Sequence, residues 1–182
     1  MNGIILILLS EIDSRFTVTL SQSLGKIFDS NVEIRNKISS LQYAYNAARD
    51  QYKSPLLLAY LRRMKKRRGD KIMGVVDVDL YSPGYDFVYG EADINAGVAT
   101  LSINRLIYEE RNIHSKTSLY MERIVREATH EIGHLYGLGH CPYQKCVMRT
   151  CTCLVEVDEA GGGLCSTCVE KLNNNLLDSK QA

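Results

Sequence analysis

The sequence predicts an α/β (α+β) fold, a mixed sheet backed by helices, on three observations. Residues 4–9 form an unbroken apolar run, which suits a central strand covered on both faces. Strand-like and helical segments alternate from there to about residue 103. A long helical segment then begins at Thr117 or Ser118, runs through Ile124, Val125 and Ala128, and stops at Gly137.

The elements follow in order. Phe16, Leu20, Leu24 and Ile27 have helical spacing over residues 14–28, with Asp13 or Ser14 as the cap. Val32-Glu33-Ile34-Arg35 alternates, as a half-buried strand does. Residues 41–50 and 54–67 read as helical, with Pro55 tolerated in a first turn. Val75, Val76 and Val78 support a strand over 71–80, and Ser82-Pro83-Gly84 marks a turn. Residues 87–91 and 97–103 read as two more strands. Beyond residue 141 regular structure is expected to be sparse, with Gly161-Gly162-Gly163 as a flexible link and a last helix over about 166–177. Residues 178–182 read as a frayed tail.

A chain of 182 residues, 45% hydrophobic and 24% charged, fits one domain with a buried core. It divides into an N-terminal lobe of about residues 1–137 and a C-terminal lobe of about 138–177. The net charge of +1 provides no field that would favour nucleic acid or an anionic membrane, so neither is expected as a partner. The basic run Arg62-Arg63-Met64-Lys65-Lys66-Arg67-Arg68 lacks interleaved aromatics and reads as the solvated end of a helix, where cations complement the dipole. The apolar run at residues 4–9 is too short for the core of a secretion signal and has no basic leader; a cytoplasmic monomer is expected.

The chemistry is concentrated in residues 130–140. Of four histidines in the chain, three are His130, His134 and His140. One helical turn separates His130 from His134, so both rings leave the same face. Glu131 stands beside them, within reach of a water on a shared metal. Gly137 allows the helix to stop in the left-handed conformation, and His140 then returns as a third nitrogen ligand. Three histidines with an open fourth position describe a catalytic rather than a structural zinc. The full string H-E-x-x-H-x-x-G-x-x-H arises by chance in a chain this long with a frequency of roughly one in 10⁵.

All six cysteines lie between Cys141 and Cys168. Confined to so short a window in a chain without a secretion signal, they predict a second, structural zinc rather than disulfides. Such a metal would hold together a lobe too small to bury much apolar area.

The histidine string followed by a later methionine resembles the metzincin clan of zinc peptidases. Its continuation, Cys141-x4-Cys146-Val147-Met148 and then Cys165-Ser166-Thr167-Cys168, is similar to the archaemetzincin family. More weakly, residues 98–106, with Ser102 and Arg105-Leu106, look like the strand that precedes the zinc helix in that family. The resemblance implies a metzincin-like (zincin) fold: a twisted mixed sheet over two helices, above a smaller C-terminal lobe. It implies that His130, His134 and His140 bind catalytic zinc with Glu131 as general base, and that Met148 forms the Met-turn beneath the metal. It also implies that Cys141, Cys146, Cys165 and Cys168 bind the structural zinc, giving two zinc ions per chain. The stretch between Met148 and Cys165 is one residue shorter than the family spacing. Cys151 and Cys153 are additional to the family pattern, either as free thiols or as competing ligands.

The expected activity is hydrolysis of peptide bonds in a peptide or protein substrate, with a zinc-bound water activated by Glu131. By analogy with the clan, the substrate would lie extended near residues 89–101. Tyr136, Tyr143 and Arg149 are candidates to stabilise the oxyanion. The alternative is a noncatalytic or latent two-zinc module that binds peptides or partners; the presence of Glu131 argues against it, since a structural site needs no base.

Overall fold

The computed structural model describes residues 3–108 and 117–181. The strands are β1 (Ile4–Leu8), β2 (Val32–Asn36), β3 (Tyr45–Asn46), β4 (Gln51–Lys53), β5 (Lys71–Val76), β6 (Leu80–Tyr81), β7 (Gly90–Asp93) and β8 (Val98–Ser102). The helices are α1 (Ser14–Ile27), α2 (Ser54–Met64), α3 (Asn104–Tyr108), α4 (Thr117–Leu135), α5 (Leu154–Glu159) and α6 (Ser166–Gln181).

The main sheet has the order β2-β1-β5-β8-β7. The first four strands are parallel, and β7 runs antiparallel along β8 at one edge. Its two faces explain the apolar run of β1. Ile4, Leu6 and Leu8 pack with Leu20 and Leu24 of α1 and with Ile124, Ala128 and Ile132 of α4. Ile5, Ile7 and Leu9 pack on the other face with Leu57 and Leu61 of α2. Alternate side chains are buried on both sides, so no polar residue fits into the strand. Each fully buried aliphatic side chain contributes roughly 1.5–3 kcal/mol. On the α2 face the approach is close enough that a Cβ on Gly74 would meet Leu61 Cδ1 at 2.8 Å. The N-cap of α1 is Asp13, whose carboxylate accepts the Arg15 N–H at 2.8 Å.

Four local expectations are corrected. Residues 41–50 are not helical: after a 3-10 turn at Gln42–Ala44, β3 and β4 form a hairpin that β6 joins. Tyr45 and Tyr52 face each other across it at 5.1 Å, and Asn46 Nδ2 donates to the Tyr81 hydroxyl at 3.0 Å. The first is a cross-strand pair and the second spans 35 residues, and helical periodicity records neither. The strand expected over 71–80 leaves the main sheet after Val76, where Ser102 Oγ donates to the Val78 carbonyl at 2.7 Å. The strand expected at 87–91 is displaced to 90–93, leaving Phe87 in a loop beside it. The glycine triplet is not a slack link: a Cβ on Gly161 would collide with the Lys145 carbonyl oxygen, and the Gly163 carbonyl accepts from Val147 N–H at 3.0 Å.

Beyond residue 137 the chain carries α5 and α6, whose Leu154, Val157 and Leu172 pack into the core on the α4 side of the sheet. The helix α6 extends through Gln181, past the expected end near 177, and Ala182 lies outside the described residues. The buried Arg123 of α4 clamps α5 by a two-pronged pair to Asp158, at 2.7 and 2.6 Å, and also donates to the Leu106 carbonyl. No described helix is long and apolar enough to cross a membrane.

Candidate active site

The histidine cluster is built by the way α4 ends. Gly137 has φ +82°, the left-handed conformation. Its N–H bonds to the His134 carbonyl at 2.9 Å, and the Leu138 N–H bonds back to the Gly133 carbonyl at 3.0 Å, which is a Schellman closure. That closure turns the Leu138 carbonyl onto His134 Nδ1 at 2.8 Å. His130 Nδ1 meets the Val147 carbonyl at 2.9 Å. A carbonyl only accepts, so both Nδ1 atoms carry the proton and both Nε2 atoms present lone pairs. Burial lowers the pKa of both rings, His130 to about 4, and so favours their neutral, ligating form.

The two Nε2 atoms face one another at 3.0 Å, and one ring nitrogen from each of His130, His134 and His140 lies within 4.8 Å of the others. Two lone pairs at that separation repel unless a cation lies between them. Zinc with nitrogen ligands at about 2.0–2.1 Å would set tetrahedral edges near 3.3 Å, so the donor set fits that metal.

Glu131 is almost wholly buried, 7% exposed, against the β7 edge. Burial raises its pKa well above the ordinary carboxylate value, and the charges of Glu127 and Glu91 add to this. Gly90 makes the room: a Cβ there would lie 2.6 Å from Glu131 Cγ. Met148 is fully buried and packs on the opposite side of α4, where a Cβ on Gly133 would meet its sulfur at 2.5 Å. A cleft of about 370 Å³ opens over His130, Glu131 and His140, walled by Phe87, Tyr89 and Arg149.

The second cluster follows directly. Cys141, Cys146, Cys165 and Cys168 bring their sulfurs within 4.8 Å of one another, and none forms a disulfide. The closest pairs, Cys141 with Cys165 and Cys146 with Cys168, are 3.8 and 3.7 Å apart. A tetrahedral zinc with Zn–S near 2.3 Å has sulfur–sulfur edges of about 3.8 Å, so four thiolates fit here. Burial pushes the Cys168 thiol far up, whereas the Cys168 backbone N–H holds Cys165 down at about 7. The Cys141 N–H also bonds to the Met148 carbonyl at 2.9 Å, tying this cluster to the floor of the histidine cluster.

The expected residues therefore converge into two groups one backbone step apart, His140 and Cys141. Cys151 lies apart from the four-sulfur group, on the cleft wall, its thiol pushed up to about 11 by burial; Cys153 is exposed. Of the three oxyanion candidates only Arg149 lines the cleft. Tyr136 stacks on Phe28 at 5.0 Å, and Tyr143 is 57% exposed beside the cysteine cluster. Sequence reasoning gave no role to Phe87 or Glu127, and reached Tyr89 and Gly90 only as part of the stretch 89–101 expected to meet the substrate. Only Glu127 carried a local signal, since it lies one helical turn before Glu131.

The family model for Peptidase family M54 matches residues 8–174. An archaemetzincin from Methanopyrus kandleri is 39% identical over 170 residues, spanning 93% of this chain and 90% of that one. The crystal structure of archaemetzincin from that organism superposes with a TM-score of 0.84 at 34% identity, covering 97% of this chain and 96% of the other. A zinc-dependent peptidase from Methanocorpusculum labreanum superposes with a TM-score of 0.83 at 32% identity, covering 94% of this chain and all (100%) of the other.

Proposed function

The chain belongs to peptidase family M54, the archaemetzincins, and is a zinc metallopeptidase; from that premise we propose the part each residue plays. His130, His134 and His140 hold the catalytic metal. Bound there, zinc would supply an acidified water and polarise the peptide carbonyl. Glu131 takes the proton of the attacking water and passes it to the leaving amine. Its burial and raised proton affinity suit a group that must hold that proton between the two steps. Met148 floors the site beneath α4. The substrate lies antiparallel along β7, whose Gly90 brings backbone rather than side chain up to Glu131.

Cys141, Cys146, Cys165 and Cys168 hold a second, structural zinc, giving two ions per chain within one domain of two lobes. Four thiolates need reducing conditions, which supports a cytoplasmic location. We take the protein to act as a monomer on peptide substrates, without nucleic acid or membrane.

The observation that carries the reading is the convergence of three histidine nitrogens beside a buried carboxylate. The test compares zinc-loaded wild type with Glu131→Ala over a broad peptide library. Cleavage should fall by about 10²–10⁴-fold in the variant. Equal cleavage by both proteins would sink the assignment, and cleavage by neither would favour a noncatalytic two-zinc binding module.

A further inference from the structure

Glu127 lies on α4 one turn before Glu131 and lines the cleft shared with His130 and His140. The proposed chemistry does not use it. Among the described residues its carboxylate has no hydrogen bond or ion pair, and burial alone raises its pKa to about 7. The nearby cations are engaged elsewhere. Arg126 reaches Glu122 at 3.2 Å and the carbonyls of Val157 and Asp158. Arg149, on the cleft wall, lies 3.8 and 3.9 Å from Glu156 and Glu159. Phe87 and Tyr89, packed edge to face at 5.2 Å, make an apolar side to the same cleft.

We propose that Glu127 is a specificity-determining residue that receives the ammonium or guanidinium of a lysine or arginine side chain close to the scissile bond of the peptide substrate. This rests on the peptidase reading of the cleft. The argument is one of unmatched charge. A carboxylate turned into a partly dehydrated cleft without a partner gains a charge-assisted hydrogen bond when a cation enters. The aliphatic stem of a lysine or arginine finds apolar surface at Phe87 and Tyr89 on the way. A neutral side chain of equal length leaves the carboxylate desolvated and unpaired, and an acidic one meets both Glu127 and Glu131. Selection thus comes from attraction and from rejection together. A hydrogen bond to a charged group, at about 1.5–3 kcal/mol, corresponds to a preference of roughly 10- to 100-fold.

The experiment uses the zinc-loaded protein, so that binding and turnover are read on the same species. Peptides of one sequence, carrying lysine, norleucine or glutamate at one position at a time, are compared by kcat/KM. The same peptides are titrated into zinc-loaded Glu131→Gln by fluorescence anisotropy, which reads affinity without turnover. At one position lysine should exceed norleucine by roughly 10- to 100-fold in both readouts. Glu127→Gln should bring that ratio to within about threefold, and Glu127→Lys should turn the preference toward glutamate. A lysine preference that survives Glu127→Gln, or its absence at every position, overturns the proposal. Peptides bound with a Glu127-dependent preference but never cut would overturn the peptidase reading and leave this inference standing. Peptides cut without that preference would do the reverse.

Discussion

The two metal-ligand clusters touch at His140 and Cys141, yet they are held in place by different means. Two of the three histidines sit on α4, whose inner face is buried against the main sheet through Ile124, Ala128 and Ile132. Carbonyls of Leu138 and Val147 fix the His134 and His130 rings. The cysteines sit on turns and at the start of α6, in a stretch whose buried side chains, Leu138, Val147, Leu154, Val157 and Leu172, join one end of the main core. The first cluster is held by a core that exists without it. The second has no regular element of its own beneath three of its four sulfurs, and on the reading proposed above a metal would hold those turns together. Metal should therefore matter to chemistry on one side and to folding on the other.

The sharpest way to break that contrast is to remove the thiolates. Structural zinc supplies on the order of 10 kcal/mol of folding free energy in small domains. Cys165→Ser with Cys168→Ser should lose one zinc of two and expose amides of residues 138–177 to hydrogen exchange, while amides of β1 and β5 stay protected. Retention of both ions would show that these sulfurs are not ligands. Next comes His134→Ala, which should lose the other zinc and at least about 100-fold in activity, with the unfolding midpoint little changed. A large fall in thermal stability there would erase the distinction between the clusters.

Arg123→Ala tests how the small lobe is docked. It removes a buried pair between α4 and α5 and should cost about 3 kcal/mol in denaturant unfolding, with zinc content intact. Gly90→Ala sharpens the catalytic side, because its methyl group must displace Glu131. We expect kcat to fall by roughly 10- to 100-fold at unchanged zinc content. Unchanged turnover would mean that the position of Glu131 matters little.

The smallest effect is one of pH. Glu127 has its folded-state pKa raised to about 7, so the folded protein holds that proton more tightly than the unfolded chain does. Its contribution to stability is full below the ordinary carboxylate value and is lost as pH rises through about 7. His130 works in the opposite sense. With its pKa lowered to about 4, its contribution is full above the ordinary histidine value and is lost as pH falls through 4. Comparing wild type with Glu127→Gln at full zinc content isolates the first term. Wild type should lose stability relative to the variant steadily as pH rises from about 4.5 to about 7, and a constant difference would refute it.

What could be read from the sequence follows the same divide between local and distant causes. His130, His134 and Gly137 are set by the pitch and ending of one helix, whereas the choice of four cysteines among six came from the resemblance to the archaemetzincin pattern. The double-sided burial of β1 was legible because a covered strand admits no polar residue. Gly90 was not, since its meaning depends on Glu131, which is far along the chain and meets it only after the sheet has formed. The hairpin of β3 and β4 was misread for a related reason: Asn46 answers to Tyr81, and Tyr45 and Tyr52 to each other, not to a helical face. Helix α5 was missed because Leu154 and Val157 give only one turn of apolar spacing.

The placement of β7 has a consequence for solubility. It is an edge strand, so its outer N–H and C=O groups are open to any extended chain, including another copy of the same protein. The strand is four residues long and carries Glu91 and Asp93, with Asp93 bound to Arg62 of α2 at 2.6 Å. That is room enough to pair with a few residues of a transient guest. It is too short, and too charged, to seed an extended sheet between molecules. An edge that, on the proposed reading, receives peptides is thereby kept from becoming a site of aggregation.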